Sequence, residues 1–374
     1  MTHLRTTRSA HHGMTLIELL VVVGILSIMM GIAAVAVRTG TKGKKQREAA
    51  RQVNAFVAGA QARAFELGRP CGFEIVRHGT TLTTANPDAN NISFRMYMLE
   101  SPPVYAGDID TANLQFIGFD SATRLATFRD TNYTSPMASV LFNANDVGSG
   151  NAAGEIRFNY RGPRYPFLIT ALTESTPLEL TIQVPLSDHS FDYFQAGVTR
   201  VPFQLYLRPT RSSVTPLQLP SDMCVDLAFS GMGADERQFH NSNLTFGVGA
   251  SVNVMFSPTG AVDRIYDING IPQRPIGNVH LLVGKFDQAF NLVEVNTEPG
   301  NLSTALTSLG DTPTNILDAT SMWVSVNYLS GQVSTTRNAF IDPGAVGTLS
   351  DRNIMSEARK FAQRTETIQG QGDE

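Results

Sequence analysis

One apolar run limits what this chain can become. From Leu19 to Val37 there are nineteen consecutive residues without a charge. As a helix rising 1.5 Å per residue they extend roughly 28 Å, the thickness of a bilayer's hydrocarbon core. No other stretch of the 374 residues has an apolar run of comparable length. Ahead of it, residues 1–13 carry Arg5, Arg8, three histidines and no acid, the charge of an export leader. Glu18 stands at the very start of the run. Near a helix N-terminus a carboxylate gains about 0.3–1 kcal/mol from the dipole. Moving it toward the bilayer centre costs up to about 3 kcal/mol.

Three readings compete. A secretory signal peptide would have a shorter apolar region and a small-residue cleavage site such as Ala34-Val35-Ala36, releasing the chain after Ala36. The site is present, but the run is too long and the acid does not belong there. A plain signal anchor accommodates the length and leaves Glu18 unexplained. The third reading uses every part: Gly13-Met14-Thr15-Leu16-Ile17-Glu18-Leu19-Leu20 closely resembles the type IV prepilin cleavage motif. The resemblance implies that a dedicated prepilin peptidase cuts after Gly13 and methylates the new amine on Met14. The family usually has Phe at the first mature position, where this chain has Met. Glu18 falls at the fifth mature position, which the resemblance assigns to filament assembly. An amine of a neighbouring subunit at about 4 Å, with an effective dielectric near 20, attracts such a carboxylate by roughly 4 kcal/mol before desolvation. One feature opposes this orientation. Arg38, Lys42, Lys44, Lys45, Arg47 and Arg51 follow the run against two arginines before it, and a charge count alone puts the downstream side in the cytoplasm.

The helix is predicted to continue past the run. Val53, Phe56, Val57, Ala60, Ala64 and Leu67 fall on one helical face, and Gly68 and Pro70 then supply a stop. Gly40 and Gly43 are positions where it could bend. After the helix the chain reads as strands and loops. In "PLELTIQVPL" Leu178, Leu180, Ile182, Val184 and Leu186 alternate with polar residues. "VPFQLYL", "ASVNVMFSP" and "NVHLLVGKF" follow the same pattern, and "WVSVNYLSGQVSTT" reads as a hairpin turning at Ser330-Gly331. "NANDVGSGNAAG" and "TEPGNLSTALTSLGDTP" read as loops. A short helix is expected after Ser350 or Asp351, with Ile354, Met355, Ala358 and Phe361 on its apolar side.

The resemblance extends into the head. Val225-Asp226-Leu227 with Ser230-Gly231, then Phe256-Ser257-Pro258-Thr259-Gly260, then Trp323 with Ser330-Gly331-Gln332 are similar to the strand-and-turn series of H-type pseudopilins of type II secretion and related minor pilins. This implies an α+β, pilin-like fold: a leader at 1–13, a spine helix at 14–67 (transmembrane at about 16–37), a β-rich periplasmic head at 68–349, and a C-terminal short helix and tail at 350–374. The head is larger than that group implies, with the excess expected at 80–215. The implied partners are prepilin peptidase, other pilin or pseudopilin subunits and the inner membrane, with a secretion subunit favoured over a minor pilin of pilus assembly or DNA uptake.

Other chemistry is sparse. A formal net charge of −4 gives no support for nucleic-acid binding. Cys71 and Cys224, both expected outside the cytoplasm, could form a disulfide worth about 4–5 kcal/mol in the chain-entropy model; spacing alone leaves the pairing open. The glycines of "GSGNAAG" at 148–154 precede a strand, so they offer no helix N-terminus to a phosphate. Asp267-Ile268-Asn269-Gly270 lacks the later glutamate of a calcium loop and reads as a plain turn. His78, His189, His240 and His280 are isolated, with no HExxH spacing. No catalytic constellation, cofactor or metal site is expected, and the chain is read as a structural subunit rather than an enzyme.

Overall fold

The long N-terminal helix spans Leu16–Leu67, and the rest of the chain builds an antiparallel, β-rich body against its second half. The class is α+β. The structure, a computed structural model, describes residues 16–79, 90–131, 136–142, 146–173, 176–241, 243–246, 251–290, 302–310 and 312–364. The expected leader at 1–13 and Met14 lie outside these, as do the side chains of 31–42.

The helix continues through Gly40 and Gly43 and stops where Gly68 turns left-handed (φ +62°), a conformation that costs glycine nothing. Its buried stripe is Ala49, Ala50, Val53, Val57, Ala60 and Ala64, all fully inaccessible to solvent. From Ala50 on, steps of three and four keep these residues on one face, and their small size lets the sheets approach closely. Phe56 is only half-buried, and Phe65 and Leu67 face outward.

Two sheets receive this stripe. One runs in the order Thr210–Arg211, Arg95–Glu100, Cys71–Val76, Val252–Phe256, Val262–Tyr266 and Pro272–Gln273, with Leu217–Gln218 also paired to Arg95–Glu100. The second runs Val333–Arg337, Met322–Val326, Val279–Lys285, Met223–Met232 and Ile92–Ser93. Phe73, Ile75, Val225, Leu227, Leu281, Val283, Val324 and the helix stripe form one cluster. At about 1.5–3 kcal/mol for each large apolar side chain removed from water, this contact is what fixes the helix to the head.

The second sheet is covered on both faces. Alternate residues (Phe229, Leu282 and Trp323) point away from the long helix into another cluster with Leu302, Leu306, Ile354, Met355 and Ala358. Strand Val279–Lys285 is therefore buried at six successive positions, and the predicted one-sided alternation does not hold there. The covering layer contains helix Leu302–Leu309, in a stretch expected to be a loop. Leu302, Ala305 and Leu306 face inward at helical spacing, a short amphipathic signal among threonines and serines. Helix Asp351–Ala358 starts at Ser350, whose hydroxyl accepts from the Asn353 amide. Of its predicted apolar face Ile354, Met355 and Ala358 are buried, whereas Phe361 is 44% exposed and Ala362 packs inward instead.

Within the stretch where an excess was expected, residues 101–209 form a lobe inserted into the first sheet. A third sheet orders Phe203–Leu207, Gly154–Phe158, Tyr165–Thr173, Thr176–Gln183, Leu125–Asp130, Leu114–Asp120 and Arg200–Val201. It has its own core of Phe116, Phe128, Phe158, Phe167, Ile182, Phe191, Phe203 and neighbours. The chain leaves the body after Glu100 and returns at Thr210, and these two residues are directly paired. Leu178, Leu180, Ile182 and Val184 are buried in the lobe; Leu186 lies beyond the end of its strand and is exposed.

The two cysteines do not bridge. Cys71 begins a strand of the first sheet and Cys224 lies in the second, each a buried free thiol in a separate apolar cluster. The sheet arrangement separates them, which corrects the open disulfide option.

Candidate functional site

The first fifteen described residues of the long helix are built unlike the rest. Leu16, Ile17, Leu19, Leu20, Val21, Val22, Val23, Ile25, Leu26, Ile28, Met29 and Met30 are all exposed, from 41% at Val22 to 83% at Leu16. Soluble proteins rarely expose a contiguous apolar surface of this kind, and where it occurs it marks a protein or membrane contact. The one hydroxyl in the stretch is satisfied internally, Ser27 Oγ donating to the Val23 carbonyl at 2.8 Å, so an apolar environment does not leave that hydroxyl unpaired. Glu18 is the only charge in it and sits in the first helical turn, where the exposed amide ends favour an anion. Gly13 and Met14 lie outside the described residues. Among the described residues, no helix is long and apolar enough to cross a membrane.

The second half of the helix is anchored by specific polar contacts as well as by its apolar stripe. Asn54 Nδ2 donates to Thr335 Oγ1 at 2.9 Å. Gln61 Nε2 donates to the carbonyls of Gly260 and Ser330, at 3.1 and 2.9 Å. Those carbonyls belong to two turns singled out in the sequence, Phe256–Gly260 and Ser330–Gln332, which meet over the helix. Gly331 (φ +69°) approaches so closely that a Cβ there would lie 1.9 Å from the Gly260 oxygen. Glu100, at the exit to the inserted lobe, takes Arg63 Nε at 2.6 Å and Arg69 Nη2 at 3.0 Å. The Ser212 hydroxyl, followed by Arg63 and Arg69, holds the Glu100 carboxyl below its ordinary range. None of these partners has a local sequence signal, because each joins positions 31 or more residues apart.

The remaining tokens are structural. Asp226 is fully buried at a β-bulge of strand Met223–Met232; its carboxylate accepts from the Ala228 amide at 3.1 Å and from Asn315 Nδ2 at 3.0 Å. Burial pushes its carboxyl up to about 6. The Ser230 hydroxyl donates to the Asp226 carbonyl at 2.6 Å and accepts from the Leu282 amide at 3.1 Å, holding the bulge. Asp267 folds its own turn, its Oδ1 accepting from the amides of Asn269 and Ile271. The Asn269 carbonyl in that turn accepts from the Ala152 amide and from Arg208 Nη2, both at the lobe. The Asp267 turn is thus a latch between lobe and body. His280 is buried with Nδ1 2.8 Å from Ser325 Oγ, and burial holds it well below its ordinary range. His240 is pushed down to about 3, chiefly by burial. Both are neutral core residues. His189 pairs with Asp192 on the surface, and His78 packs edge-on against Phe94. The glycines at 148 and 150 lie in an exposed turn that enters strand Gly154–Phe158 rather than a helix. Among the described residues no group of His, Cys, Asp and Glu is arranged to hold a metal ion.

Residues 8–34 match the family model of the prokaryotic N-terminal methylation motif. This is the signal for type IV pilin-type processing, in which prepilin peptidase prepares a subunit for assembly with other pilin-type subunits. No curated protein and no solved structure matches the chain.

Proposed function

We propose that this chain is a minor pseudopilin-type subunit of a type II secretion pseudopilus. Prepilin peptidase cleaves it between Gly13 and Met14 and methylates the Met14 amine. The helix crosses the inner membrane once at about 16–37, with the head in the periplasm, and then joins a periplasmic filament. The subunit is structural: it has no catalytic role and uses no cofactor.

The observation that supports this best is the division of a single helix behind a methylation motif. Its residues 16–30 are apolar and exposed, whereas its buried stripe from Ala49 to Ala64 is packed into the head. Such a helix has one half left to bury in lipid before assembly and among neighbouring helices after it. Glu18, in the first turn, is placed to meet the methylated amine of a neighbour within that apolar packing, where the pair is screened little by water.

The head favours secretion over a repeated pilus fibre. No disulfide closes a C-terminal loop, since Cys71 and Cys224 are free, and the inserted lobe is bulky for a subunit repeating in a tight helical lattice. A minor pilin of pilus assembly or DNA uptake is the second reading. Sequencing the N-terminus of the membrane-bound mature chain is the decisive test, with N-methyl-Met14 expected. A soluble chain beginning at Val37 would show an exported protein released after Ala36. Deletion of the subunit should block release of folded periplasmic substrates while leaving surface pili and DNA uptake intact. The reverse phenotype would move the chain to the minor-pilin class.

A further inference from the structure

We propose that the membrane-side rim of the head carries a clamp for the phosphate of an anionic phospholipid, formed by Arg47 of the long helix and Arg337 at the end of strand Val333–Arg337. The inference rests on the membrane-anchored reading above. The two arginines come from different elements and line one cavity of ≈ 150 Å³ with Gly43, Ala319, Thr320 and Met322. That is several times the roughly 30 Å³ share of one water molecule, room for a phosphate group. Neither arginine has a carboxylate partner among the described residues, although nearby acids are engaged. Asp318 is held by Lys285 Nζ at 2.6 Å and by the Thr320 hydroxyl, Glu48 by Arg51 at 2.8 Å, and Asp222 by Lys45 at 3.3 Å. Two unneutralised guanidiniums facing one small cavity repel each other and favour an anion between them; their planar forks suit phosphate oxygens.

Geometry selects a lipid as its source. Arg47 Nε donates to the Gly43 carbonyl at 3.1 Å, which folds the side chain back toward the helix N-terminus and so toward the bilayer. Arg47 lies ten residues beyond Val37, about 15 Å along the helix, and headgroups fill roughly the first 5–7 Å of that distance. A backward-folded arginine on a tilted helix closes much of the remainder. The clamp also gives Arg47, one of the basic residues that follow the apolar run and that a charge count alone assigns to the cytoplasm, a role on the opposite side of the membrane.

The test uses the full-length mature protein, extracted in mild detergent and examined by native mass spectrometry with phosphatidylglycerol, phosphatidylcholine or inorganic phosphate. The comparison is with the double variant Arg47→Gln, Arg337→Gln, both exposed positions. The expected result is a one-to-one phosphatidylglycerol adduct, weakened about tenfold to thirtyfold in the variant. Inorganic phosphate should not displace it. Equal retention of lipid by the variant, or equal retention of phosphatidylcholine, overturns the clamp. Displacement by inorganic phosphate overturns the lipid as its ligand. Membrane fractionation keeps the two readings apart: wild type and variant both in the membrane, with no arginine-dependent adduct, defeats the clamp alone, whereas a soluble wild type defeats the membrane reading itself.

Discussion

The guanidinium of Arg359 lies 5.0 Å from the centroid of the Trp323 ring, and both side chains are fully buried. Arg359 also donates to the carbonyls of Phe229 and Gly233, each at 2.8 Å, while Trp323 Nε1 donates to Asn338 Oδ1 at 2.9 Å and to the Ala358 carbonyl at 3.0 Å. Together they staple the C-terminal helix to the end of the bulged strand. A desolvated cation–π pair is worth about 2 kcal/mol, and stripping the donor from buried carbonyls costs a further 1–3 kcal/mol each. Arg359→Ala is therefore expected to destabilise the head by at least about 3 kcal/mol, and Arg359→Lys by less, since lysine keeps the charge but not the fork. Thermal unfolding of the two variants checks the order; an unshifted midpoint for Arg359→Ala would refute the staple.

Gly331→Ala tests the contact of the two turns with Gln61 of the long helix. The substitution combines a left-handed φ with a Cβ 1.9 Å from the Gly260 oxygen. Strain and overpacking together are expected to cost roughly 2–4 kcal/mol. The loss should be local as well as global: amide exchange over 56–67 rises, because Gln61 loses its paired acceptors. Exchange that stays slow in this segment would mean the turns do not hold the helix.

Asp226 makes stability depend on pH in an unusual direction. Its carboxyl is raised to about 6 in the fold, whereas an unfolded aspartate titrates near 3.9. Between these values the folded chain holds the proton that the unfolded chain has released, so stability falls as pH rises from about 4 to about 6. The full shift corresponds to roughly 3 kcal/mol. Other carboxylates act oppositely: Asp318, for which burial is outweighed by Lys285 and Thr320, is lowered to about 2, and its contribution is present above the unfolded value and lost as pH falls toward 2. The wild type must therefore be compared with Asp226→Asn. The variant's stability relative to wild type should improve from pH 4 to pH 7 in urea titrations; parallel pH profiles would exclude Asp226 as the source.

Because Glu100 and Thr210 are paired, the inserted lobe should be removable. A chain in which residues 104–208 are replaced by a short Gly-Ser turn is expected to unfold cooperatively, within roughly 5 °C of the parent, and to remain a substrate for prepilin peptidase. The lobe's ties to the body include the Ala152 amide and Arg208 on the Asn269 carbonyl, and Glu155 3.8 Å from Arg264. Loss of the cooperative transition would show that lobe and body fold only together.

Glu18→Gln separates processing from assembly. The change removes the charge and keeps the shape, so cleavage after Gly13 is expected to proceed while incorporation into filaments drops severalfold. Quantifying processed subunit in membrane and filament fractions reads both steps. Normal incorporation would remove the carboxylate–amine pair from the assembly step.

What the sequence determined by itself was local and periodic. The stripe from Val53 to Ala64, the stop at Gly68, the alternation through Leu178, Leu180 and Ile182, the turn at Ser330-Gly331 and the Ser350 cap all rest on neighbours within a few residues, where backbone geometry dictates which side chains share a face. The processing signal at 8–34 is likewise a contiguous string. Tertiary structure decided the rest. The helix at Leu302–Leu309 exists because three of its residues found the far face of the second sheet; without that face its serines and threonines read as a loop. The same face buried strand Val279–Lys285 on both sides and erased its alternation. Cys71 and Cys224 were set apart by being drawn into different sheets. Glu100 gathered Arg63, Arg69 and Ser212 across 37, 31 and 112 residues, and its pairing with Thr210 closed the lobe's two ends. Burial and long-range pairing depend on which surfaces meet, and that is settled only when the whole chain has folded.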